Sequence, residues 1–185
     1  MAVVKAGKST KLKTIEMELA LAEHFDKRHN LIVPNISWGM MSFGEDFPQC
    51  DLLLITRNEY AYQIEIKTSK ADLIADRKKR HQHLNGKIRK LYFAIPDYLK
   101  NCEQYIPKHA GIIIVSSFVN QDGYLPAGAT GCHVVREAEV KSEYKFTDKE
   151  KFNVARLGAL RSWRLKENLL KLMNKERAKY EIKRI

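Results

Sequence analysis

The stretch Asp51-Leu52-Leu53-Leu54-Ile55-Thr56-Arg57-Asn58-Glu59-Tyr60-Ala61-Tyr62-Gln63-Ile64-Glu65-Ile66-Lys67 decides how this chain is read. It opens on a short apolar run, breaks at the turn-forming Arg57-Asn58-Glu59, and resumes in alternation. Successive side chains of extended backbone point to opposite faces, so Tyr62, Ile64 and Ile66 share one side and Gln63, Glu65 and Lys67 the other. The pattern predicts a β-hairpin. If it folds symmetrically about Asn58, residues whose numbers add to 116 face one another, and Asp51 falls opposite Glu65. Their Cβ atoms would then lie ~4.5–5.5 Å apart on one face, with Lys67 projecting from the same side.

Two carboxylates that close repel each other unless one keeps its proton or a cation sits between them. Mg²⁺ is a hard cation that takes one or two carboxylates and retains several waters. A metal-activated water beside an ammonium group suits attack on a phosphodiester. The plainer alternative is a surface strand whose Gln63-x-Glu65-x-Lys67 face meets solvent and has no function. Three features weigh against it: Asp51 at the cross-strand position, the apolar runs backing both acids, and the basic segment that follows Lys67.

Outward from the hairpin, Ile15, Glu18, Leu19, Ala22 and Phe25 recur at helical spacing behind a Thr14 N-cap. Asn30 and Pro34 end that helix and admit a strand over residues 31–38, and residues 39–49 read as a loop. Residues 69–84 predict a helix rich in Lys and Arg, stopped near Asn85-Gly86. The runs Leu91–Ile95, before Pro96, and Gly111–Val115 are buried-strand candidates, and Cys132–Arg136 a shorter one. From Lys149 onward the chain reads as one long helix whose Leu/Trp stripe is interleaved with basic residues. Trp38 and Trp163 read as core residues. The order describes an α/β domain with a mixed sheet and helices on both faces over residues 1–148, followed by a basic helical extension over residues 149–185. That extension packs on the domain or on a second subunit.

The 185 residues carry 33 Lys and Arg against 22 Asp and Glu, a net charge of +11. Residues 69–90 hold +6 of it and residues 149–185 hold +8, so the remainder is mildly acidic. Such concentration points to a polyanionic partner, nucleic acid first. The start of the chain has no apolar signal region, and the longest apolar run falls well short of the ~20 residues of a membrane span. Cys50, Cys102 and Cys132 are too scattered for a disulfide framework or a thiolate zinc site. A cytoplasmic, intracellular protein with reduced cysteines and no membrane contact is expected.

Pro48-Gln49-Cys50-Asp51 followed by Glu65-Ile66-Lys67 resembles the divided motif of the PD-(D/E)xK nuclease superfamily, with its restriction-endonuclease-like core. Here the proline stands three residues before the aspartate rather than beside it. The stretch Glu65–Leu73 with Asp76-Arg77-Lys78, the Leu91–Pro96 run and the Ala110–Val115 run are similar to one branch, the bacterial MmcB-like DNA-repair proteins. The likeness spans roughly residues 14–136 and does not extend to the C-terminal segment. It implies Asp51 and Glu65 as metal-binding carboxylates with the Ile66 carbonyl as a further ligand, and Lys67 as the group that orients or activates the attacking water. It also implies a glutamate from the first helix. Glu18, on the expected inward stripe, is the first choice and Glu16 the fallback.

Lys70, Arg77, Lys78, Lys79 and Arg80 would then grip the phosphate backbone beside the site, with Arg161 and Arg164 extending the footprint. His81 and His83 are two residues apart, so they cannot share a helix face to bind a metal together. The sequence therefore leads to a Mg²⁺-dependent DNA nuclease, Mn²⁺ a possible substitute, acting in DNA repair or in mobile-element or phage DNA processing. A homodimer is compatible with it. The rival reading is a catalytically inactive nucleic-acid-binding module of the same fold.

Overall fold

The computed structural model describes residues 11–36, 50–77, 86–117 and 130–182. Helix α1 (Thr14–His24) leads into strand β1 (Leu31–Ile36), then β2 (Cys50–Ile55) and β3 (Ala61–Ile66). Helix α2 (Lys70–Arg77), β4 (Ile88–Pro96), a 3₁₀ helix (Asp97–Tyr105), β5 (Gly111–Ser117) and β6 (Thr130–Arg136) follow, and α3 (Asp148–Ile182) closes the chain. The strands form one six-stranded sheet in sequential order. β1, β2 and β3 run antiparallel, β3, β4 and β5 parallel, and β6 returns antiparallel to β5. The expected mixed α/β architecture is what forms. Met1–Thr147 and Asp148–Ile185 make two compact units.

The hairpin keeps the expected register: Leu52 pairs with Ile64, Leu53 with Gln63 and Leu54 with Tyr62, all adding to 116. Its turn is tied by Glu59 N–H to the Thr56 carbonyl at 2.8 Å and Thr56 N–H to the Tyr60 carbonyl at 2.9 Å. Glu59 takes a positive φ of 71° at the corner.

Both faces of the sheet are covered. On one, Leu52, Leu54, Ile64, Ile66, Ala94 and Ile113 pack against Met17, Ala20 and Leu21 of α1. On the other, Leu91, Phe93, Ile95 and Ile112 meet Leu73 of α2 and Leu99 of the 3₁₀ helix. The crossovers from β3 to β4 and from β4 to β5 step the same way across the sheet, and the right-handed preference sends both to the same face. β3 is thus flanked by strands and roofed on both sides, which is why its polar positions are buried.

Several expectations need correction. Thr14 is the first helical residue, not the cap: Lys13 holds the cap position, and its N–H donates to the Glu16 carboxylate at 2.7 Å. The inward face of α1 is Met17, Ala20 and Leu21, while Ile15 and Leu19 are 61% and 55% exposed. The Ile15/Glu18/Leu19/Ala22 stripe has helical spacing too, and a second apolar set at the same period won the sheet. β4 does not stop before Pro96 but runs through it, with Pro96 as its last residue, paired with Val115. Trp163 is 62% exposed on α3 rather than core, and Leu160, Leu169, Leu170 and Met173 are exposed with it. Trp38 lies outside the described residues. Among the described residues, no helix is long and apolar enough to cross a membrane, and all three cysteines are free.

Candidate active site

The end of β3 carries an unusual charge arrangement. Glu65 and Lys67 point to the face covered by α2 and are 4% and 8% exposed, with Gln63 before them at 1%. A solvent-facing strand, the plainer alternative, is therefore not what forms. Gln63 Nε2 donates to Glu65 Oε1 at 2.9 Å, and Lys67 Nζ donates to Glu65 Oε2 at 3.0 Å, so each carboxylate oxygen has a fixed partner. Across the hairpin, Asp51 Oδ2 accepts the Ile66 backbone N–H at 2.8 Å and stands 3.9 Å from Lys67 Nζ. The Asp51 side chain is 37% exposed, the open edge of an otherwise buried cluster.

A third acid completes it. Asp76 Oδ1 is 3.0 Å from Lys67 Nζ, and Asp76 is 4% exposed. Helix α2 begins where the Ser69 hydroxyl accepts the Asp72 N–H at 3.2 Å, an N-cap directly after β3. Leu73 and Asp76, one turn apart, are then the buried positions among the described side chains of the helix. Leu73 packs on the Phe93 layer and Asp76 meets the ammonium. By charge alone Asp76 is only an acid inside a basic segment, and sequence reasoning missed it. Its three-residue spacing from Leu73 is the signal that could have found it.

Burial, above all, pushes the Glu65 carboxyl above the ordinary glutamate range; the Asp51 charge adds to this, and Lys67 and Gln63 only partly offset it. Burial pulls the Lys67 ammonium the other way, but Glu65 and Asp76 outweigh it and hold the amine above the usual lysine value. Three carboxylates thus surround one ammonium. With all groups ionised the cluster is negative, and buried negative charge calls for a cation.

The donor set suits a hard divalent ion. Asp51 and Glu65 supply the one or two carboxylates that Mg²⁺ takes, and the exposed side of Asp51 leaves room for water ligands. Among the described residues, no three His, Cys, Asp or Glu side chains form a ready-made metal cage.

Glu18 is not on the face that carries the acids, because α1 covers the opposite side of the sheet. It accepts a hydrogen bond from Asn35 Nδ2 at 3.2 Å. Asn35, with a φ of 52°, falls between the Pro34–Leu52 and Ile36–Cys50 pairs, at the register position across from Asp51. The expected stripe thus does not bring Glu18 to the acids; its hydrogen bond goes to Asn35 of β1 instead. Glu16 is occupied at the helix cap.

Of the expected phosphate-binding residues, Lys70 is exposed at the start of α2, 5.5 Å above the Tyr105 ring. Arg77 ends the described part of α2, and Arg161 and Arg164 lie on α3 in the second unit. Lys78, Lys79, Arg80, His81 and His83 lie outside the described residues, as do Pro48 and Gln49.

No family model matches the chain, and no curated protein matches it. One similar solved structure is the SPO1766 protein of unknown function from Silicibacter pomeroyi. It is 16% identical, covers 86% of this chain and 93% of its own length, and superposes with a TM-score of 0.55. That likeness concerns the fold alone.

Proposed function

We propose that this chain is a divalent-metal-dependent nuclease that hydrolyses DNA phosphodiesters, with Mg²⁺ as the working ion and Mn²⁺ as its substitute. The observation that carries the reading is the carboxylate excess at the end of β3: Asp51, Glu65 and Asp76 around the Lys67 ammonium. Asp51 and Glu65 would hold the ion, and the Ile66 carbonyl is the further ligand that the resemblance implies. A divalent ion bound there supplies Lewis-acid stabilisation of charge on phosphate oxygens and acidifies a water.

The chain's own residues do the rest. Gln63 fixes one oxygen of Glu65, and the Ile66 N–H fixes one oxygen of Asp51, so both acids are oriented before any ligand arrives. Lys67 is an ammonium bonded to carboxylates, so its role is to donate hydrogen bonds to the attacking water or to a phosphate oxygen and to offset developing charge. Lys70 and the basic run from Arg77 to Arg80 would hold the phosphate backbone next to the acids. DNA is the expected partner, and repair or processing of mobile-element or phage DNA the setting in which such hydrolysis serves.

The Lys67 ion pairs also suit a module that binds nucleic acid without cutting it, since an internal ammonium stabilises buried acids without any metal. Incubation of plasmid, single-stranded and branched DNA with Mg²⁺ or Mn²⁺, comparing wild type with Glu65→Gln, separates the two. Cleavage by wild type alone supports the nuclease. Tight binding by both proteins with no cleavage by either assigns the chain to the binding class.

A further inference from the structure

Asp76 has no part in the hydrolysis proposed above, yet it is as deeply buried as Glu65. A helix that only roofed the sheet would place an apolar side chain one turn after Leu73; burying a carboxylate there costs free energy unless it meets a counter-charge. It meets Lys67, which already contacts Glu65 Oε2 and approaches Asp51 Oδ2. Lys67 therefore sits against the same carboxylates that would bind a divalent ion. A divalent ion on Glu65 would be repelled by an ammonium held at contact distance on Oε2, because like charges a few ångströms apart in a buried site repel strongly. Ion binding is therefore favoured when the ammonium moves off Glu65 while remaining close enough to act on substrate. Asp76 offers that berth: it stands 3.0 Å from Nζ and belongs to α2, a different element from the strands that carry Asp51 and Glu65.

We infer that Asp76 is a positioning residue that takes the Lys67 ammonium when Glu65 and Asp51 bind a divalent ion. The inference rests on the metal-site reading of Asp51 and Glu65. Removing the Asp76 charge leaves Glu65 and Asp51 as the acidic partners of Lys67, so the ammonium competes harder for the ion's ligands. The residue acts through Lys67, so its effect must depend on Lys67 being present. A carboxylate acting directly on the ion would not show that dependence.

The test is Mn²⁺ binding to the full-length protein without DNA, measured by electron paramagnetic resonance of the free ion. Asp76→Asn should weaken binding about tenfold in the wild-type background, a coupling of the size that charges sharing one partner show. In a Lys67→Gln background the same substitution should change binding by less than about twofold, and Asp76→Glu should restore much of the wild-type affinity. Equal binding by wild type and Asp76→Asn overturns this inference while leaving the metal reading standing, as does an equal loss in both backgrounds. Failure of wild type to bind Mn²⁺ at Glu65, shown by identical titrations of wild type and Glu65→Gln, overturns both together. A Mn²⁺-soaked crystal of the wild-type protein gives a reading that does not depend on any variant folding. Lys67 bonded to Asp76 and clear of Glu65 supports the assignment, and Lys67 still bonded to Glu65 beside the bound ion overturns it.

Discussion

At the scale of single residues, Lys67 is the group on which its neighbours depend. It pairs with Glu65 and Asp76, both almost fully buried, so truncating it removes their shared counter-charge from a low-dielectric interior. Lys67→Ala should therefore destabilise the fold by about 3–5 kcal/mol, measured by urea denaturation. If the loss is within the scatter of an ordinary surface substitution, the ion pairs do not hold the cluster together. Glu65 adds a pH signature. Its carboxyl is held above the ordinary range mainly by burial, so the folded state binds the proton more tightly than the unfolded chain does. A group raised in this way contributes stability below its unfolded pKa and loses it as pH rises through the folded value. As pH rises above the ordinary glutamate range, wild type should lose stability relative to Glu65→Gln, which lacks that titration; parallel stability curves for the two proteins would refute it.

At the scale of elements, the site depends on how α2 starts and how β5 passes β4. The Ser69 hydroxyl caps α2, and the first helical bond runs from Leu73 N–H to the Ser69 carbonyl. Ser69→Ala should cost about 1 kcal/mol of stability. It should also reduce cleavage more than that loss of folded protein explains, because the helix delivers Asp76. Circular dichroism melts alongside activity at saturating folded protein check it. Gly111 opens β5 against the Tyr92 ring, and a Cβ there would come within 2.3 Å of Cδ1 and 2.9 Å of the Ala138 backbone N. Gly111→Ala has no flexible neighbour on the backbone side, so it should destabilise by about 1–3 kcal/mol, read from the urea midpoint. The same ring reaches Glu137 through its hydroxyl at 2.8 Å; burial first, then that acid, push the phenol up to about 12. The hydroxyl thus stays a neutral donor at any physiological pH.

At the scale of the whole molecule, the net charge of +11 sits mainly in two segments, one directly after β3 and one along α3. For duplex DNA, every phosphate the protein ceases to neutralise should flatten the slope of log K against log salt by about 0.9. Arg161→Gln combined with Arg164→Gln in the full chain should reduce that slope if α3 touches the backbone. An unchanged slope assigns those arginines to another role, and Lys70→Gln measured in parallel tests the segment beside the acids.

The hairpin register was legible without coordinates, because a turn at Asn58 and a two-residue side-chain period leave one symmetric way to pair the strands. That alone placed Asp51 next to the end of β3, where the ladder stops at Leu52–Ile64 and Asp51 Oδ2 accepts the Ile66 N–H, and the long apolar runs marked β4 and β5 as buried strands. The face of α1 was not legible, since Ile15/Leu19 and Met17/Ala20/Leu21 both recur at helical spacing and local pattern cannot say which set meets a sheet. Nor was the burial of Gln63, Glu65 and Lys67, which exists because α2 and the 3₁₀ helix both cross to that side. Local periodicity determined which residues lie together along a strand, because covalent geometry fixes it. Only tertiary packing decided that Asp76 closes on Lys67, because that contact joins a helix to a strand end through space, and sequence spacing encodes no such distance.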